Sequence, residues 1–148
     1  MNPTSTIIDG AIHEAKPALT AWQAVSLALG MQGMSIAADT LSAGLPAINS
    51  VPPELVLRAL REHGCAAELR NYPLRKIPSL VCPALLWTKD GGLLILVEAT
   101  TEKHAKVVMP DLGDNVLQVD IQELHDLYGG VCVLFKAKSQ TQISLRNG

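Results

Sequence analysis

Gly64 separates two stretches of this sequence with different hydrophobic periods, and that change limits the available folds more than any other feature. Just before it, Pro53–His63 is the sharpest helical pattern in the chain. Ser50, Pro52 and Pro53 open it, Glu54 stands in its first turn, and Gly64 closes it. Leu55, Val56, Ala59 and Leu60 form an inward stripe, with Arg58, Arg61 and Glu62 outside. An earlier helical pattern runs from Pro17 to Met31. Its apolar positions are Leu19, Trp22, Val25, Leu27, Leu29 and Met31, and Gly33 ends it. A short helix is expected over Ser35–Ala43 with Ser35 as its cap, followed by a loop over Leu45–Ser50.

After Gly64 the pattern is that of strands. Cys65–Asn71 is one, stopped by Tyr72-Pro73. Leu80–Trp87 is another, with Pro83 pointing to an edge or a bulge. Lys89-Asp90-Gly91-Gly92 reads as a hairpin turn leading into Leu93–Ala99. A turn at Thr101-Glu102-Lys103 precedes Ala105–Met109, and Gly113-Asp114-Asn115 precedes Val116–Val119. Asp120 is placed to cap a helix over Asp120–Tyr128, and Val131–Lys136 is a last strand. The expected fold class is α+β, with one layer of helices on an antiparallel meander. Residues 1–16 read as a flexible leader, 17–138 as the domain and 139–148 as a flexible tail.

Composition narrows the function classes. A chain of 148 residues is one domain's worth of sequence. Twelve Lys and Arg against fourteen Asp and Glu give a net charge of −2, which argues against a nucleic-acid partner. No apolar run is longer than Leu93–Val97, which has strand length and falls far short of the roughly 20 residues of a membrane span. The first residues lack the basic-then-apolar pattern of a signal peptide. Cys65, Cys82 and Cys132 are odd in number and lack CxxC spacing, which fits buried thiols in a reducing, cytosolic compartment. His13, His63, His104 and His125 have no metal-ligand spacing, so no metal site is expected. Gly91-Gly92 suits a turn rather than a phosphate cradle, and Asp111, Asp114 and Asp120 suit turns and caps. Trp22 and Trp87 stand out in a chain that is only 3% aromatic; each is either core packing or a partly exposed anchor for a peptide.

Taken in order, these patterns resemble a known family. Leu19–Gly33 is similar to the first helix of the papain-like cysteine peptidase domains that remove double-glycine leaders from bacteriocins at the N-terminus of bacterial ABC exporters. Ser35–Leu45 is similar to the family's short second helix, and Pro52–Gly64 to the helix that runs into a glycine. Leu80–Trp87 followed by Asp90-Gly91-Gly92, and Asp120–Gly129 followed by Val131–Phe135, complete the likeness, which covers Glu14 to Lys138. The sequence resembles most the degenerate form of this domain in haemolysin and RTX-type type I secretion transporters. The resemblance implies a papain-like cysteine peptidase fold, with N-terminal helices packed on an antiparallel sheet.

The resemblance also implies where the catalytic groups would stand. The family's nucleophilic cysteine corresponds to Thr20, counted back from Gly33. Its oxyanion-hole glutamine, six residues earlier, corresponds to Glu14; Gln23 lies on the wrong side of Thr20. Its histidine base corresponds to Leu93, and its orienting aspartate, which precedes a proline, to Met109 before Pro110. All four depart from the catalytic pattern, and none of the three cysteines has a histidine at an obvious partnering position. The implied function is therefore an inactive peptidase-like domain on the cytoplasmic side of the bacterial inner membrane. It would bind unfolded RTX-type secretion substrate for export, with Trp87, Trp22 and Tyr72 as candidate contacts. Its other partners would be the transmembrane and nucleotide-binding domains of its own transporter. No cofactor is implied in this domain, since ATP would bind only in the nucleotide-binding domain, beyond Gly148. Two alternatives stand beside this: an active leader peptidase with a displaced nucleophile, and a purely structural docking domain.

Overall fold

The computed structural model describes residues 18–45, 50–98 and 103–137. The leader 1–16 with Glu14 and His13, Pro17, the turn residues Thr101 and Glu102, and the tail 139–148 lie outside the described residues.

Helix α1 spans Ala21–Met31. Its start follows from a reciprocal cap. Thr20 Oγ1 accepts from the Gln23 backbone N–H at 3.1 Å, while Gln23 Oε1 accepts from the Thr20 N–H at 2.8 Å. This satisfies two helix-end donors at once, so the helix begins after Thr20 rather than at Pro17. The second helix, α2, is confined to Ala38–Leu41, with Ala37 rather than Ser35 at its cap position. Helix α3 spans Pro53–Glu62, close to its expected bounds. His63 ends it with Nδ1 at 2.9 Å from the Ala59 carbonyl, and Gly64 takes the left-handed conformation at φ +86° that terminates such helices.

The strands are β1 (Cys65–Arg70), β2 (Ala84–Thr88), β3 (Leu93–Glu98), β4 (His104–Val108), β5 (Val116–Asp120) and β6 (Tyr128–Ala137). Between β5 and β6 lies α4, Ile121–Leu127, where Asp120 accepts from the Gln122 N–H at 2.7 Å. Strand β2 starts later than expected because Ser79–Val81 forms a 3₁₀ turn that leaves Leu80 almost fully exposed. Pro83 stands just ahead of the ladder, where its missing N–H removes no pairing bond.

The six strands are ordered β1-β6-β2-β3-β4-β5, with every neighbouring pair antiparallel. The expected meander holds for β2 to β5. The last strand departs from it, entering between β1 and β2 and pairing with both, which is why it runs longer than Val131–Lys136. Strand β2 is thus interior, and Pro83 does not mark an edge.

The sheet is also covered on both faces, not by one layer. Leu85 and Trp87 of β2 join Ile95, Val108, Val133 and Phe135 against Val25 and Leu29 of α1 and Val56 and Leu60 of α3. The alternate residues Ala84 and Leu86 join Leu94, Leu96, Val107 and Cys132 beneath Ile121 and Leu124 of α4 and Leu74 and Ile77 of the segment between β1 and β2. Side chains alternate across a strand, so a strand buried on both faces must be apolar throughout. Ala84–Trp87 is.

Candidate functional site

A groove runs where the start of α1, the β2–β3 hairpin and the end of β4 meet. Its larger part, about 480 Å³, is lined by Ser50, Thr88, the hairpin residues Asp90 to Leu94, the segment Met109–Leu112, and Leu127. A continuation shares Ser50, Gly91, Gly92, Leu93, Pro110 and Asp111, and adds Leu19, Thr20, Ala21, Trp22 and Val51.

Local chemistry builds each wall. The hairpin closes through Gly91 N–H to the Thr88 carbonyl at 3.0 Å and Thr88 N–H to the Gly92 carbonyl at 2.9 Å, with Gly91 at φ +90°. The Thr88 hydroxyl donates to Asp90, and the Gly92 N–H lies 2.9 Å from Thr88 Oγ1. The hydroxyl first, then the Gly92 N–H, holds the Asp90 carboxyl below its usual range, so it is ionised at the rim. Ser50 Oγ donates to the Gly91 carbonyl at 2.9 Å, fastening the loop before α3 to the hairpin. On the opposite wall β4 ends at Val108, and the chain passes through Met109 into the turn Pro110–Leu112, with Leu112 N–H to the Met109 carbonyl at 2.8 Å. The Leu19 N–H donates to the Pro110 carbonyl at 2.7 Å, joining this wall to the start of α1.

The structure brings three of the four positions that the resemblance picks out to this groove. Thr20 is exposed at one end, half-buried Leu93 lies in the middle, and half-buried Met109 lies on the far side. Glu14 lies outside the described residues. Gln23 is committed to the Thr20 cap.

The candidate contacts divide differently. Trp22 is half-buried and lines the groove beside Thr20. Trp87 is only 5% exposed, and its Nε1–H donates to the Val51 carbonyl at 2.7 Å. As a surface anchor Trp87 is therefore corrected: it faces the helix layer, and its indole N–H finds a buried partner as tryptophans in cores do. Its contribution to the groove is indirect, since Val51 is part of the wall. Tyr72 lies in a separate depression with Asn71, Lys89, His125 and Tyr128, where its carbonyl accepts from the Tyr128 hydroxyl at 2.7 Å.

Ser50, Asp90, Leu112 and Leu127 were not among the expected site residues. Leu112 carried a signal, as a leucine inside the turn-forming run Pro110-Asp111-Leu112-Gly113; it is 56% exposed. Among the described residues, the groove lining contains no cysteine or histidine. Cys65 and Cys132 are buried in the two cores, and burial pushes both thiols up, away from the thiolate a nucleophile needs. Cys82 is half-buried at the end of the Ser79–Val81 turn, not on a strand. Among the described residues no group of three acidic, histidine or cysteine side chains is arranged to hold a metal ion. No described helix is long and apolar enough to cross a membrane.

This architecture is the papain-like fold of the peptidase C39 domains of ABC transporters. The N-terminal peptidase C39 like domain of the toxin secretion ATP-binding protein from Vibrio parahaemolyticus superposes with a TM-score of 0.74. It is 24% identical, over 83% of this chain and 100% of that one. A double glycine motif protease from an AMS/PCAT transporter, solved in complex with the leader peptide, gives 0.65 at 20% identity, over 84% and 92% of the two chains. The peptidase domain of Streptococcus ComA, a bi-functional ABC transporter involved in quorum sensing, gives 0.67 at 11% identity, over 84% and 98%. No family model and no curated protein matches the sequence.

Proposed function

We propose that this chain is the peptidase-like domain of an RTX-type type I secretion exporter, and that it binds unfolded secretion substrate without cleaving it. The observation that carries this reading is the meeting of Thr20, Leu93 and Met109 at one groove. A cysteine peptidase needs a thiolate, a base within hydrogen-bond reach and donors for the developing oxyanion. At these positions stand a hydroxyl that already accepts a helix N–H, an aliphatic side chain and a thioether. None of the three takes up a proton at neutral pH. What replaces the polar wall is apolar surface, which suits the side chains of an extended chain.

A neighbour of this fold was solved with a leader peptide bound, which supports peptide binding as a use of this fold. In this reading the domain sits on the cytoplasmic side of the bacterial inner membrane beside its transporter's membrane and nucleotide-binding domains, and itself uses no cofactor.

The test combines two measurements on the isotope-labelled chain. Mass spectrometry after incubation with a double-glycine leader peptide should show intact peptide. Titration with a calcium-free, unfolded C-terminal RTX segment should shift resonances around Leu93 and Met109, while the folded calcium form should not. Cleavage would establish a peptidase with a displaced nucleophile. Absence of shifts with either form would leave a docking role within the transporter.

A further inference from the structure

We infer that the groove selects extended segments in which an apolar side chain is flanked by lysine or arginine. This rests on the proposal that the groove receives unfolded substrate, and it names the chemistry of the segment received.

Two features of the groove argue for it together. The first is an apolar strip that the described residues leave uncovered. Half-buried Leu93 and Met109 continue outward into Leu112 and Leu127, which are 56% and 44% exposed. A contiguous apolar strip in a concave site gains from covering by an apolar side chain. The second is charge. Among the described residues, the only charged ones lining either part of the groove are Asp90 and Asp111.

These two carboxylates belong to opposite walls. Asp90 is in the hairpin turn, oriented by the Thr88 hydroxyl and the Gly92 N–H. Asp111 is exposed in the 3₁₀ turn Pro110–Leu112, whose position is tied to Leu19. The strip of Leu93 and Met109 lies between the turns. An apolar side chain seated there would bring its sequence neighbours toward the rims, where a lysine or arginine meets the carboxylate side chain of Asp90 or Asp111. An acidic neighbour meets the same charge and is repelled.

The selectivity is tested with two short peptides of identical apolar pattern, one flanked by lysines and the other by glutamates. Each is titrated at low salt into the isotope-labelled full chain. The lysine peptide should bind roughly five-fold tighter, from two exposed ion pairs. Its shifts should fall at Gly91, Gly92, Leu93 and Leu112, and the preference should shrink at high salt. In Asp111→Asn, an exposed change that leaves the melting curve unaltered, the preference should fall to roughly two-fold. Leu112→Ser should weaken both peptides alike. Equal affinity for the two peptides in the groove overturns the charge selectivity and leaves the substrate-binding proposal standing. Shifts confined to other surfaces overturn the assignment of the groove, and no shifts with either peptide overturn both.

Discussion

The backbone N–H of Leu19 donates to the carbonyl oxygen of Pro110 at 2.7 Å, so the start of the first helix and the end of the fourth strand are held together. The bond sets the spacing of the two walls carrying Thr20 and Met109. With Ser50 bound to the Gly91 carbonyl, it makes the groove a product of three segments far apart in sequence.

Thr20 acts as a helix cap. Thr20→Ala removes the acceptor for the Gln23 N–H and should destabilise the domain by about 1 kcal/mol, read as a lower urea midpoint with unchanged slope. Thr20→Ser should stay close to wild type. Thr20→Cys should place a thiol at the helix start yet release no product from a double-glycine leader peptide, because Leu93 offers no base. Mass spectrometry decides the last point; cleavage by this single variant would show that a base is already in place.

Trp87 and Trp22 should report different events. Trp87→Phe leaves the buried Val51 carbonyl without its indole donor and should cost roughly 1–3 kcal/mol in chemical unfolding. In that variant the remaining fluorescence comes from Trp22 at the groove. Substrate peptide should change it. A titration that alters emission in wild type but not in Trp87→Phe would place binding away from Trp22.

Helix α4 covers the second face of the sheet, and Leu124 is its fully buried residue. Leu124→Ala should cost roughly 2–5 kcal/mol, as large-to-small changes in packed cores do. The exposed Leu127→Ala on the same helix should change stability by no more than about 0.5 kcal/mol while weakening peptide binding. Thermal melts of the two variants side by side test the division between core and groove.

Stability should fall at alkaline pH. Burial pushes the Tyr128 hydroxyl well above its ordinary value of 10.0, and pushes the Cys132 and Cys65 thiols above their ordinary 9.0. The folded state thus keeps protons that the unfolded chain releases. Their stabilising contribution is complete below about pH 9 and is lost as the pH climbs through the raised folded values. Urea midpoints from neutral pH upward should decline beyond about pH 9, and Tyr128→Phe should flatten the decline above about pH 10. The same burial predicts that a thiol reagent labels Cys82 first and reaches Cys65 and Cys132 only on unfolding.

Much of the local structure was legible in the sequence. The bounds of α3, its glycine stop, the Lys89–Gly92 turn and the Asp120 cap are each written within a few neighbouring residues, because caps and turns are bonds between near neighbours. The start of α1 differs from the expected one for the same kind of reason. Pro17 suits a first helical turn, but the reciprocal bonds of Thr20 and Gln23, three residues apart, suit the cap better.

The residues alone determined that helices come first and strands later, that Ala84–Trp87 is apolar throughout, and, through the resemblance, which positions correspond to the family's catalytic groups. Only the tertiary structure decided that β6 enters between β1 and β2, that α4 closes a second face, and that Trp87 lies beneath the groove wall while Trp22 lines it. It also decided that Leu112 and Leu127 extend the apolar strip beside Leu93. The reason is the range of the interactions. A cap or turn is chosen among conformations of a few residues, whereas strand order and the exposure of one tryptophan depend on pairings between segments distant in sequence.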